Sequence, residues 1–188
     1  METTTLVHFP NHTLVIGLFK DLKNADFLRS QLLAGNTAFE YAFLDASVLL
    51  SRSHVLAAVF KSLTDARANR LKSRNIHSEI VFDLSPNNNI AESFRRFGIQ
   101  DDTRTLVAIK VLDAAAGGSE QVEFVENHLR ENVQGEITRM TNTALRETRD
   151  EGRIRKIYRL EQPKKGETAV LGKEDEAFVL GGIALKGS

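Results

Sequence analysis

Residues 72–99, KSRNIHSEIVFDLSPNNNIAESFRRFGI, decide how this chain is read. The second half of the stretch is a short capped helix. Asn89 is a good N-cap, Glu92 stands three residues on as in a capping box, and Gly98 sits where a C′ glycine belongs. Ile90, Phe94 and Phe97 fall at i, i+4 and i+7 and form one apolar stripe. Arg95 and Arg96 face outwards near the C-terminus, where the helix dipole favours cations. The first half is ambiguous. Ile76, Ile80, Phe82 and Leu84 alternate as a strand would, while Ile76, Ile80, Val81 and Leu84 fit a buried helix.

Upstream, Thr13–Phe19 is a short β-rich run, and Asn24 caps a segment with Phe27, Leu28, Leu32 and Leu33 at helical spacing, closed by Gly35. Ala38–Leu44 alternates as a strand with Phe39, Tyr41 and Phe43 on one face. Ser53 opens the longest helical pattern, traced by Val55, Leu56, Val59, Phe60, Leu63 and Leu71 and running to Ser73-Arg74-Asn75. Downstream, Thr105–Leu112 is the strongest strand, nearly continuous in apolar residues and therefore central. A soft Ala-Ala-Ala-Gly-Gly-Ser linker follows, suited to insertion. Ser119 caps a helix with Val122, Val125, Leu129 and Val133 on one side. Ile137–Thr148 reads as another helix, Ile154–Leu160 as a strand-like core, and Gln162–Gly166 as a polar connection. The last helix, Asp175–Lys186, contains the pair Gly181-Gly182, each glycine costing about 1 kcal/mol relative to alanine in a helix interior. Such a pair marks either fraying or the close approach of another backbone. The pattern as a whole is a single α/β domain over 1–188, α+β-like in its segregation.

Composition narrows the chemistry. With 25 basic and 25 acidic residues there is no global field towards nucleic acid, so any such contact must come from a local patch. The absence of cysteine removes disulfides, thiolate metal sites and cysteine nucleophiles. The N-terminal METTTLVHFP lacks the features of a signal peptide, and no apolar run is long enough to span a bilayer. His8 and His12 have metal-ligand spacing on a helix, but Pro10 lies between them. His77 beside Ser78 and Glu79 reads as a half-buried structural histidine, since neighbours in sequence point apart on any regular element. No phosphate-binding glycine loop and no nucleophile–base–orienter set is present, so neither a cofactor nor a small-molecule substrate is expected.

Two basic runs stand out. Lys61, Arg67, Arg70, Lys72 and Arg74 occur with one acid, Asp65, among them; Arg146, Arg149, Arg153, Arg155, Lys156 and Arg159 are diluted by Glu147, Asp150 and Glu151. Such runs either follow a phosphate backbone or form a solvated face laced with ion pairs. For the second run the ion-paired face is the stronger reading.

The chain resembles the PRPK-binding protein family, the kinase-partner subunit of the KEOPS (EKC) complex. Lys72-Ser73-Arg74-Asn75, Ser78-Glu79, Leu84-Ser85-Pro86-Asn87-Asn88-Asn89-Ile90 and Phe97-Gly98-Ile99 carry the match. Leu18-Phe19, Lys23-Asn24-Ala25, Ile154-Arg155-Lys156-Ile157-Tyr158 and Ile183-Ala184-Leu185-Lys186-Gly187 extend it over nearly the whole chain, closest to the fungal branch. The resemblance implies a small sheet flanked by helices with a mainly helical middle, and favours helix for 76–84. It implies a non-enzymatic, cofactor-free subunit of the nucleus and cytoplasm that binds a PRPK-type atypical kinase and regulates it. The complex makes N6-threonylcarbamoyladenosine at position 37 of tRNA and is linked to telomere maintenance; archaeal members grip the tRNA 3′ CCA end. Carried over by position, kinase contact falls on Leu180, Ile183, Leu185 and Lys186, and tRNA contact on Lys72, Arg74 and Asn75 with Lys20. On this reading Ile183→Glu abolishes kinase binding and leaves the fold intact. An autonomous RNA-binding module is the alternative.

Overall fold

The computed structural model describes residues 1–113, 118–163 and 170–187. Two strands form its spine: β2 (His12–Lys20) and β4 (Leu106–Asp113), antiparallel with Ile16 opposite Ile109 and Phe19 opposite Leu106. Strand β3 (Ala42–Asp45) pairs with the far side of β4, and β1 (Glu2–Thr5) and β5 (Glu136–Thr138) pair in succession along the free side of β2. The order is β1-β2-β4-β3, antiparallel throughout, with β5 beside β2.

Alternate residues of the spine feed two separate cores, as the period-2 geometry of a strand requires. Leu14, Ile16, Leu18, Val107 and Ile109 enter one; Val15, Phe19, Leu106 and Ala108 enter the other. The second core is covered by α1 (Ala25–Leu33) and α5 (Gly118–Asn132), through Leu28, Val125 and Leu129. The first is covered by a helical layer: α2 (Arg52–Arg67), α3 (Ile76–Leu84), α4 (Ile90–Phe97), α6 (Asn142–Thr148), α7 (Glu151–Tyr158) and α8 (Lys173–Leu185). This is a mixed α/β domain with a small antiparallel sheet, as expected.

The ambiguous stretch 76–84 is helix α3, opened by the Asn75 side chain accepting from the Ser78 N–H at 2.9 Å. In α4 Asn89 caps as expected, accepting from the Glu92 N–H at 2.9 Å, but the Glu92 carboxylate turns to Arg95 and Arg96 instead of closing the box. Gly98 is extended rather than left-handed. Glycine is needed there because a Cβ would stand 2.7 Å from the Phe94 carbonyl while the loop bridges to Leu44.

Several boundaries differ from the pattern. Glu151–Tyr158 is helical, not strand-like: Asp150 caps it, Ile154 and Tyr158 face inwards one turn apart, and Arg159 in the left-handed region ends it. Strand β3 starts only at Ala42, after a 3-10 turn at Thr37–Phe39, although Phe39, Tyr41 and Phe43 do share one core. Residues 136–138 extend the sheet before helix α6 begins behind its Thr141 cap. Helix α2 stops at Arg67, with Asn69 left-handed, so Leu71 lies beyond it. Strand β1 has no counterpart in the sequence reading. Residues 114–117 of the linker and 164–166 of the polar connection lie outside the described residues.

A buried polar relay locks the helical layer. The Leu50 N–H donates to His54 Nδ1 at 3.1 Å, His54 Nε2–H donates to the Tyr158 hydroxyl at 2.7 Å, and that hydroxyl donates to the Leu84 carbonyl. Burial holds His54 neutral, its pKa pushed down to about 3. The relay joins α2, α7 and the end of α3. Replacing Tyr158 with Phe leaves two buried polar groups unpaired and should cost about 2 kcal/mol in urea unfolding; a loss under about 0.5 kcal/mol would mean the relay is not a constraint.

Candidate functional site

Helix α8 lies across α2 and is held by one side only. Val179 and Ile183 enter the core, and the Gly172 N–H donates to the Asp175 carboxylate at 2.9 Å in the first turn. Ser51, the N-cap of α2, donates to Glu176. At the far end the Lys186 ammonium is buried. It donates to the Phe82 carbonyl and, at 2.9 Å, to the Ser85 carbonyl, and lies 3.4 Å from the centre of the Phe82 ring. These carbonyls stand at the C-terminus of α3, where a cation is favoured. Burial nevertheless pushes the Lys186 pKa down to about 8.

The opposite side of α8 is bare. Phe178 is 62% and Leu185 71% exposed. With the exposed Gly181 and Gly182 they occupy i, i+3, i+4 and i+7, which is one helix face. A Cβ added at either glycine would meet nothing within 4 Å. The protein's own packing therefore gives no reason for two helix-weakening residues. What they create is a flat strip of backbone between two large apolar side chains.

Between α2, α3 and α8 lies a cleft of about 850 Å³, walled by Phe60, Phe82 and Ile90. Asp65, Glu79 and Asp83 converge on it, with carboxylate oxygens within 4.8 Å of one another; among the described residues this is the one cluster with metal-ligand spacing. Each acid already has a partner. Lys61 and Arg70 pair with Asp65, Ser62 donates to Asp83 at 2.7 Å, and the Lys72 and Ser73 backbone N–H groups donate to Glu79 at 3.0 and 2.7 Å. The trio thus serves to fix the basic turn, Lys61 of α2 and Arg70 just beyond that helix. Sequence patterning missed it because the acids lie on two helices and meet only after packing.

Of the residues proposed for kinase contact, Leu185 is the one that is exposed. Leu180 is half-buried against the cleft, and Ile183 and Lys186 are buried anchors, so Ile183→Glu would damage the fold rather than leave it intact. Phe178, on the same exposed face as the glycines, was not among them. Of the residues proposed for tRNA contact, Lys72 and Arg74 are exposed on the turn before α3, Lys72 at the cleft and Arg74 with its guanidinium near Gly35. Asn75 is committed to capping α3 and to donating to Glu40. Lys20 is on the sheet, paired with Glu147 at 2.7 Å, and its pKa is raised first by that hydrogen bond. In the second basic run Arg149 pairs with Glu151, Arg153 with Asp45, and Arg155 donates to the Glu161 carbonyl, while Arg146, Lys156 and Arg159 are exposed.

Residues 19–187 match the family model described as kinase binding protein CGI-121. The chain is 44% identical to the Aspergillus terreus protein named EKC/KEOPS complex subunit cgi121, over all of this chain and 97% of that one. It is 43% identical to the Aspergillus fumigatus protein of the same name, with the same coverage. The Coccidioides immitis EKC/KEOPS complex subunit CGI121 is 41% identical over all of this chain and 98% of its own length.

Within the cleft, burial and then the neighbouring Glu79 push the Asp83 carboxyl up to about 6, against the hydrogen bond from Ser62 and the pull of Lys186. The native state therefore holds a proton that the unfolded chain, with its ordinary value of 3.8, has lost. Stability falls as pH rises through that window and is lowest, for this group, above about 6. Asp83→Asn should raise stability at pH 7–8 by about 3 kcal/mol and by far less near pH 4. Denaturant melts at both values check this; an equal effect at both would remove charge burial as the cause.

Proposed function

The chain belongs to the CGI-121 family of kinase-binding proteins, and on that premise we propose that it is a non-catalytic subunit of an EKC/KEOPS complex that docks on its kinase through the bare face of α8. The observation that carries this reading is the pair Gly181-Gly182. It weakens the helix by about 1 kcal/mol per residue and is open to solvent, so its use lies in letting a partner's backbone come close. Phe178 and Leu185 flank it as apolar anchors of the kind that dominate interface energetics. The partner is a PRPK-type atypical kinase, and docking biases the conformation of its N-terminal lobe. By linkage, nucleotide on the kinase then alters affinity for this subunit by the same factor.

The same subunit helps bring tRNA to the complex for N6-threonylcarbamoyl modification of adenosine 37. Lys72 supplies exposed charge at a cleft with the flat and branched walls of Phe60, Phe82 and Ile90, which suits a single-stranded end, and Arg74 adds exposed charge two residues on. The subunit works in both nucleus and cytoplasm, and its telomere link follows from membership of the complex.

Two sets of variants test these roles. Phe178→Asp and Leu185→Asp should each weaken kinase binding by roughly 30-fold in calorimetry, without lowering the melting temperature. Gly182→Leu should stabilise the isolated protein by about 1 kcal/mol and still weaken binding. Unchanged affinity in all three removes α8 from the interface. For RNA, Lys72→Glu with Arg74→Glu should weaken tRNA binding and lower its salt slope by about 2; an unaltered slope would take the basic turn out of the RNA contact.

A further inference from the structure

Helix α5 carries a large ring that the core does not use. Val125 and Leu129 enter the second core, while Phe124 is 68% exposed. Its ring stacks on that of His128, one turn on, with centroids 6.2 Å apart. His128 stacks on Tyr41 at 5.7 Å and shares a 2.8 Å hydrogen bond with its hydroxyl. Tyr41 stacks in turn on the buried Phe43 at 5.2 Å, so Phe124 is the outer end of a column of rings rooted in the core. Phe39 meets His128 edge-on at 4.8 Å and Phe27 of α1 at 5.6 Å, and Phe27 is 41% exposed. An aromatic strip therefore crosses from α5 to α1 with an exposed ring at each end. A surface held this firmly loses little freedom when a partner arrives.

The charge around the strip says what that partner would carry. Glu120, Phe124, His128 and Glu131 fall at i, i+4, i+8 and i+11 and share one face of α5, with Glu123 at its border. Glu120, Glu123 and Glu131 are all exposed, and among the described residues none of them is in an ion pair. The arginine of this helix, Arg130, is already held by Glu126 at 3.3 Å. Lys110 lies beneath the column, its ammonium over the Tyr41 ring and donating to the Glu40 carbonyl at 2.6 Å. Free carboxylates of this kind repel a phosphate backbone and an anionic lipid surface, which leaves protein as the partner. An open ring flanked by carboxylates matches a guanidinium, whose plane stacks on the ring while its N–H groups reach the acid.

We propose that this face of α5 and α1 docks an arginine-bearing segment of another protein. One guanidinium stacks on Phe124 and pairs with Glu120 or Glu123, and an apolar side chain beside it rests on Phe27. Because α5 and α8 cover opposite faces of the sheet, the site does not depend on the role assigned to α8, and both can be occupied together.

The test is a titration of the full chain, labelled with 15N, with a capped hexapeptide of alternating arginine and leucine, following the backbone amide signals. Hexapeptides with lysine or glutamate in place of arginine are the controls. The expected result is a saturable shift centred on α5 and α1, with the lysine peptide weaker by about tenfold and the glutamate peptide silent. Phe124→Ala should weaken the arginine peptide by about tenfold, and so should Glu120→Gln with Glu123→Gln. These side chains are exposed, so the melting temperature should stay unchanged in both variants. Absence of a saturable shift on α5, shifts centred on another surface, equal binding of the glutamate peptide, or full affinity in either variant would each overturn the proposal.

Discussion

Strands β2 and β4 are buried on both faces, and the remainder of the molecule is arranged around that constraint. A strand that alternates into two cores needs two covers. The short pair α1 and α5 supplies one and the thick helical layer supplies the other. A one-residue slip between Ile16 and Ile109 would exchange the two sets of side chains, and neither cover would fit. The helical layer therefore inherits its position from the sheet, and the His54–Tyr158 relay fixes its members to one another.

Helix α8 is the outermost member of that layer and the least completed by it. One side is anchored at both ends, by Glu176 on Ser51 and by Lys186 on the buried carbonyls at the C-terminal end of α3. The other side holds two glycines with nothing over them and two large apolar residues in solvent. A rigid support beneath a weak and uncovered face is the arrangement expected of a docking element, since little conformational freedom is lost when a partner arrives. Lys186 illustrates the difference between support and contact: it belongs to the motif that identifies the helix, yet its ammonium is occupied within the chain.

Much of this was legible in the sequence, and the failures share a cause. The central strand, the α4 cap at Asn89 and the helix carrying Val125 and Leu129 follow from local patterns and were read correctly. The strand assigned to 154–160 failed because Ile154, Lys156, Tyr158 and Leu160 alternate as well as Ile154, Ile157 and Tyr158 repeat at helical spacing; the Asp150 cap and the His54 partner decide it. On helix α8 the residues singled out from the sequence mix buried and exposed side chains. Ile183 and Lys186 look as available as Leu185 until α2 and α3 are packed beside them. The carboxylate trio was out of reach altogether, because packing and partners define it, not spacing; His77, read as a half-buried structural histidine, is buried outright.

The central claim is that the bare face of α8 is where the kinase sits. Phe178 and Phe124 offer a matched pair for testing it, 62% and 68% exposed on helices that cover opposite faces of the sheet. Photo-cross-linking with benzoylphenylalanine placed at one position or the other, in the presence of the purified kinase, reads the interface directly. The account predicts a cross-link to the kinase from position 178 and none from position 124. Cross-linking from 124 alone would put the kinase on the α1–α5 side and contradict it.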